Sequence, residues 1–458
     1  MKNKFLVTAI ALCVSVSTFA QLGTGLLEDP SQKKNFSDKE PGTHGYGTTI
    51  PSSYSMQMFT PFIKSQGAYG TCAAWSAAYS AYTTQYAKKM GLTDRNLITA
   101  LAFCPYYVYN KANGDNACEA GTSLETILIF MRDYGVKRFY MPIIGCGTAI
   151  NALMDDDASH YTIKDAYYLY DPPGYPTDRS AAAVSDFLLN KPKPDIQKIK
   201  GTLADGYPVV FGGYVANSFM NASGSSLWEP TAEERANPGQ AVIDNQGMHQ
   251  QHAMCIVGYD DNKFGGAFLV MNSWSTLWGD NGYIWIKYDD WALFNYKAFW
   301  LDIGTTSLEL LVDNGCASGD CNEGYGVYKF SNGQRYEGHF KGGTRNGYGI
   351  YTWPDGSAYA GEWLNDKRHG EAVIYLTNGS NGTCTYADDV QVTGYGDWVY
   401  NNGDKYTGNL SSNYIRNGYG TYTFSNGRKY TGANVDDKFS GLGKMQWTNG
   451  DIYIGEVE

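Results

Sequence analysis

The chain has 458 residues, enough for about three domains, and a formal charge of −11. That acidic balance excludes partners held by a basic surface, so nucleic acid is not expected. Gly (54) and Tyr (38) are abundant and crowd into the last third, which calls for a glycine-punctuated β segment there.

Met1 to Gln21 places Lys2 and Lys4 ahead of an apolar run, Phe5 to Val16, with small residues before Gln21. This is the pattern of a secretory signal over residues 1–20 and predicts an exported, secreted or periplasmic product. No later run reaches 18 apolar residues, so no transmembrane segment is expected after signal cleavage. Outside the signal lie eight cysteines. Cys104, Cys118 and Cys146 are candidates for one bridge, and Cys316 with Cys321 can close a short loop. With no Cys-x-x-Cys pair and no histidine near these cysteines, neither a metal nor another cofactor is expected.

Residues 21–49 are polar and aperiodic and read as a flexible leader or short pro-segment. Ser65-Gln66-Gly67-Ala68-Tyr69-Gly70-Thr71-Cys72 then carries a Gly-containing turn into a helix. Trp75, Tyr79, Tyr82, Tyr86 and Met90 follow at helical spacing before Gly91, predicting one buried face and a glycine stop. A helix N-terminus turns unpaired amides and positive dipole towards Cys72, which biases its thiol towards thiolate. A second helix is predicted from Leu124 to Tyr134, and a short one after Pro194. From Tyr207 strands take over: Pro208 to Phe211, a long polar surface loop from Asn217 to Met248, then His252 to Tyr259, Ala267 to Trp274 and Tyr283 to Tyr288.

The tail is a repeat array. Gly324, Gly347, Gly370, Gly394, Gly418 and Gly441 are spaced by 23, 23, 24, 24 and 23 residues, and eight residues into each repeat lies an Asn-Gly or Asp-Gly pair. Such pairs tolerate the positive φ angles of two-residue hairpin turns. A tyrosine follows at a fixed offset (Tyr336, Tyr359, Tyr406, Tyr430 and Tyr453) except in the third repeat, which has Gly382 there. Each repeat is a hairpin that buries an aromatic face on its neighbours. From Cys316 to Glu458 there are 12 Lys plus Arg against 16 Asp plus Glu, which favours a protein or polymer partner over anionic lipid.

The chemical constellation combines both halves of the remainder. His252 opens an apolar strand, and Asn272 ends the next one, where hairpin geometry brings it to the imidazole. Gln66, Cys72, His252 and Asn272 together supply an oxyanion donor, a nucleophile, an acid/base and an orienting group. These residues resemble the papain family of cysteine peptidases: Gln66-Gly67 with Gly70-Thr71-Cys72, then Cys118-Glu119-Ala120-Gly121, His252-Ala253 with Val257-Gly258-Tyr259, and Asn272-Ser273-Trp274 with Trp278-Gly279. The tail resembles MORN repeats through pieces such as Tyr336-Glu337-Gly338 and Asn346-Gly347-Tyr348-Gly349. The resemblance implies an α+β papain-like domain over 50–305, a helical half plus a β-barrel half, then a linker over 306–321 and an all-β hairpin array of about six repeats over 322–458. It implies hydrolysis of peptide or protein substrates, with the repeats as an interaction module. The alternatives are acyl transfer at the same site and a silent binding protein working through its repeats. Tyr69, Ala73 and Ser275 depart from the family pattern, and the leader is too short for the family's helical inhibitory propeptide, so control of activity is expected from elsewhere or not at all.

Overall fold

The computed structural model describes residues 25–38, 49–113, 118–139, 145–304, 314–378, 380–400, 404–411 and 414–457. The secretory-signal reading lies outside them. Among the described residues no helix is long and apolar enough to cross a membrane.

The first unit is built on β1 (Ser37–Asp38), β2 (Ser53–Ser55), β3 (Asp165–Tyr170), β4 (Val209–Tyr214), β5 (Leu227–Trp228), β6 (Gln251–Asp260), β7 (Ala267–Met271), β8 (Tyr283–Lys287) and β9 (Asn295–Asp302). The strands pair in the order β1-β3-β9-β4-β6-β7-β8-β5, with β2 added on β6. β4 and β7 are buried at every residue, which is why their sequences read as continuous apolar runs rather than alternating ones. The predicted surface loop 217–248 instead contains three short helices, Asn217–Met220, Ala232–Ala236 and Pro238–Ala241, together with β5.

The predicted Cys72 helix forms, with two differences. It is α-helical at Cys72–Ala74, π-helical at Trp75–Tyr82 and α-helical again at Thr83–Lys89. It is also buried all round from Cys72 to Ala87 instead of along one face, because it runs between the other helices and the sheet. Gly91 ends it at φ +65°. The second helix spans Leu124–Asp133, capped by Ser123 Oγ, and a third spans Ile196–Ala204, capped by Asp195. Cys118 pairs with Cys146 and Cys316 with Cys321, while Cys72, Cys104, Cys255 and Cys384 are free.

The leader is packed where it is described. Leu26 bridges Thr122, Pro30–Asn35 is a 3-10 helix, and β1 joins the sheet edge in parallel with β3. Phe36 packs edge-on against Tyr168 and Phe299.

The tail is one antiparallel sheet of thirteen strands in sequence order, from Gly315–Gly319 to Ile452–Val457. It does not stand apart from the first unit. The main hydrophobic core continues into Tyr325, Ile350, Ala358, Ala360, Val373 and Tyr375 of the repeats. At this junction Arg138 Nε donates to Glu337 Oε1 at 2.8 Å and Nη2 to Oε2 at 3.1 Å, both side chains wholly buried. The guanidinium also lies over the rings of Tyr86, Phe103 and Tyr161, and Tyr325 donates to the same carboxylate at 2.7 Å. Burial alone would raise the Glu337 pKa, but Arg138 and Arg335 outweigh it and hold the carboxyl far below its usual range.

Candidate active site

The helix beginning at Cys72 packs its first turn against β6, where His252 and Ala253 lie. The first helical turn, Cys72–Ala74, contacts β6, so the thiol-bearing turn and the imidazole-bearing strand lie side by side. On the other side of the ring, His252 Nε2 and Asn272 Oδ1 are 2.8 Å apart. The Ser273 amide donates to the same Asn272 atom at 2.7 Å, which identifies that atom as the oxygen and makes His252 Nε2 the proton-bearing nitrogen. Nδ1 is left with its lone pair. It is buried and has no hydrogen-bond partner among the described residues. Trp274 stacks on the imidazole with centroids 4.4 Å apart, keeping water from the His252–Asn272 bond.

Gln66 is buried and tied to the same segment. Its amide N donates to Ser273 O at 2.9 Å, and its side-chain Oε1 accepts from Ser273 Oγ at 2.5 Å. Fixing Oε1 in this way settles the orientation of the carboxamide, whose Nε2 donates to Tyr69 O at 2.8 Å. Ser273 thus links Gln66 on the helical side to Asn272 on the strand side, a role that adjacency to Asn272 alone did not reveal.

The site is covered. Gly25 lies against the turn ahead of Cys72: a Cβ on Gly25 would meet Gly70 Cα at 2.2 Å, and one on Gly121 would meet Gly25 O at 2.3 Å. Three chain segments touch backbone to backbone here, which only glycine permits. Thr122 N donates to Gly25 O at 2.9 Å and Leu27 N to Thr122 O at 3.0 Å, while Leu26 N lies 3.4 Å from Gln251 O beside His252. The Leu26 side chain is buried against Gly212 and Leu124. The leader therefore crosses from the helical side to the strand side directly over the thiol. Its order comes from close backbone packing and carries no periodic signal, so the sequence reading of a segment without structure is corrected for 25–38.

Cover changes the electrostatics. Burial pushes the Cys72 thiol up to about 11, against hydrogen bonds from Ala253, Gly25 and Ala73 amides, and pulls His252 down to about 4, against the Asn272 bond. With the leader seated, burial favours the uncharged thiol and imidazole. The thiolate bias expected from the helix end is overridden by desolvation.

Residues 231–296 match the family model described as papain family cysteine protease, and residues 323–335, 336–358, 359–381, 406–427 and 430–452 match MORN repeats. The first match includes His252 and Asn272 and leaves Gln66 and Cys72 outside. The chain carries a papain-family cysteine protease domain. MORN repeats follow it in the same chain. It is 27% identical over 252 residues to an uncharacterized peptidase C1-like protein of Acanthamoeba polyphaga mimivirus, covering 52% of this chain and 68% of the viral protein. It is 21% identical over 254 residues to a cysteine protease of Blomia tropicalis, covering 54% and 64% respectively, and 24% identical over 231 residues to cathepsin L of Sarcophaga peregrina, covering 48% and 54%. Among solved structures, xylellain, a cysteine protease from Xylella fastidiosa, superposes with a TM-score of 0.45 at 19% identity over 62% of this chain and 96% of its own.

Proposed function

We propose that the protein is an exported cysteine peptidase in which Cys72 is the nucleophile, His252 the acid/base, Asn272 the orienting group and Gln66 a donor to the oxyanion. The observation that carries this reading is the polarised imidazole: Nε2–H is held by Asn272 under Trp274, leaving the Nδ1 lone pair buried and unpartnered at the end of β6 that meets Cys72. Once the cleft is open, the thiol proton passes from Sγ to Nδ1 and the thiolate adds to a peptide carbonyl carbon. Gln66 Nε2–H and the Cys72 backbone N–H receive the developing oxyanion. His252 then returns the proton to the departing amine. Water attacks the thioester, giving its proton to His252, and the acid product leaves with Cys72 regenerated. The two disulfides are consistent with an oxidising compartment. We assign the repeat face away from the first unit to contact with a protein or polymer partner.

The test is hydrolysis of a fluorogenic peptide pool by the full-length chain and its variants. Cys72→Ser and His252→Ala should each lower kcat/KM by at least about 10³-fold, and Asn272→Ala by less, because it orients rather than reacts. Wild-type turnover in Cys72→Ser would overturn the assignment.

A further inference from the structure

The leader is held at a second point, away from the thiol. Glu28 reaches Lys297 on β9, with Oε2 2.5 Å from Nζ, and the same ammonium contacts Glu125 Oε1 on the 124–133 helix. All three side chains are almost fully buried. Asp171, just past β3, adds a further negative charge to the neighbourhood. One lysine therefore faces more carboxylates than it can neutralise. Glu28 Oε1 and Glu125 Oε2 are buried without hydrogen-bond partners among the described residues, so an ionised Glu28 here keeps one charged oxygen that nothing solvates.

We propose that seating the leader over Cys72 takes up a proton at Glu28, so that the cleft is closed most firmly in acid and opens as the pH rises towards neutrality. This rests on the peptidase reading of the covered site.

Neighbouring groups support that direction. Burial pushes the Glu28 carboxyl up to about 7, with Glu125 and Asp171 adding to the rise and Lys297 opposing it. Lys297 stays charged throughout, since Glu125 and Glu28 outweigh its burial and hold it above its usual value. Tyr168 donates to Glu125 at 2.9 Å, and Tyr168, Tyr175, Tyr214 and Tyr296 are all pushed up by burial, so they remain neutral hydroxyls. Asp29 is held low by hydrogen bonds from Ser31, but that pair lies within the leader and moves with it. The seated leader retains a proton that the released leader gives up. Closure is therefore at full strength below the ordinary glutamate value and weakens up to about pH 7. Above that it levels off.

Hydrogen exchange of the full-length chain carrying Cys72→Ser, which prevents self-cleavage, reads the opening directly. The reporters are the Leu27 and Thr122 amides, after correction for the intrinsic pH dependence of exchange. Between pH 5 and pH 8 their opening constant should rise on the order of 50- to 100-fold. Glu28→Gln, a neutral isostere, should hold the leader seated and flatten the dependence. Leu26→Asp should open it at every pH. A pH-independent opening constant in the parent chain, an unchanged slope in Glu28→Gln, or opening that grows towards acid would each overturn the proposal. Exchange needs no turnover, so these outcomes are separable from failure of the peptidase reading. That failure would appear as no peptide hydrolysis by the Leu26→Asp chain with Cys72 intact, whatever its leader does.

Discussion

The repeats nearest the first unit and those farthest from it use the same sequence position in opposite ways. The residue after each repeat's opening glycine is Tyr325 in the first repeat, 5% exposed; Tyr395 in the fourth, 54%; Tyr419 in the fifth, 62%; and Leu442 in the sixth, 73%. The tyrosine after the hairpin turn shows no such gradient along the array: Tyr336, Tyr359, Tyr406 and Tyr430 are wholly buried, and Tyr453, in the terminal repeat with no described hairpin beyond it, is 47% exposed. The second tyrosine is packed by the array itself. The first is packed only where the peptidase unit covers it, so burial at that position reports the neighbour and not the repeat.

This contrast can be broken by cutting the chain. Ending it after residue 314 strips the partner from the buried Arg138 and opens the shared core, and should lower Tm by more than about 10 °C or prevent folding. Ending it after residue 403 keeps the Arg138–Glu337 pair and the shared core and should shift the peptidase transition by less than about 2 °C in calorimetry. A next smaller effect separates two arginines. Arg138→Met removes the fully buried partner of Glu337 and leaves Arg335 as its remaining cation, and should cost about 3 kcal/mol in denaturant unfolding. Arg416→Met, whose partner Asp437 is half exposed, should cost less than about 1 kcal/mol. Tyr325→Ala should likewise be felt at about 3 kcal/mol, a large aromatic lost from the core, and Tyr419→Ala at no more than about 0.5 kcal/mol. Equal costs within either pair would erase the distinction between near and far repeats.

The smallest effect is a pH dependence at the junction. His339 Nε2 lies 2.6 Å from Asp157 Oδ1. Burial lowers the imidazole pKa, but the Asp157 bond and charge outweigh it and raise it above 6.5. A raised basic group stabilises fully below its unfolded value and loses that contribution as the pH climbs through its folded value. The stability gap between wild type and His339→Gln should be up to about 1 kcal/mol at pH 6 and should shrink by pH 8.

What was legible in the sequence follows the range of the forces involved. Cys72 at a turn-to-helix step, Asn272 one strand after His252, and the glycine and Asn-Gly spacing of the repeats are local patterns, and the structure places them as those patterns require. The Arg138–Glu337 pair joins residues 199 apart, and Lys137-Arg138 looks in sequence like any two surface charges. The Gly25, Gly70 and Gly121 contact has no side chains to announce it. The helix dipole argument took no account of burial, which pushes the Cys72 thiol up, because the cover that desolvates the thiol was invisible in the sequence.

The third repeat, where Gly382 stands in place of the tyrosine, has a mechanical consequence. Trp398 fills the space, so that a Cβ on Gly382 would meet its ring at 2.9 Å. The Arg–Asp clamps that tie neighbouring hairpins at Arg345–Asp366, Arg368–Asp389 and Arg416–Asp437 are replaced at this level by Gln391, which holds Ser411 O at 3.2 Å. The MORN matches also skip residues 382–405. Under a pulling load the ribbon should yield at this seam, leaving the proximal hairpins fastened to the peptidase while the distal ones swing as a separate arm.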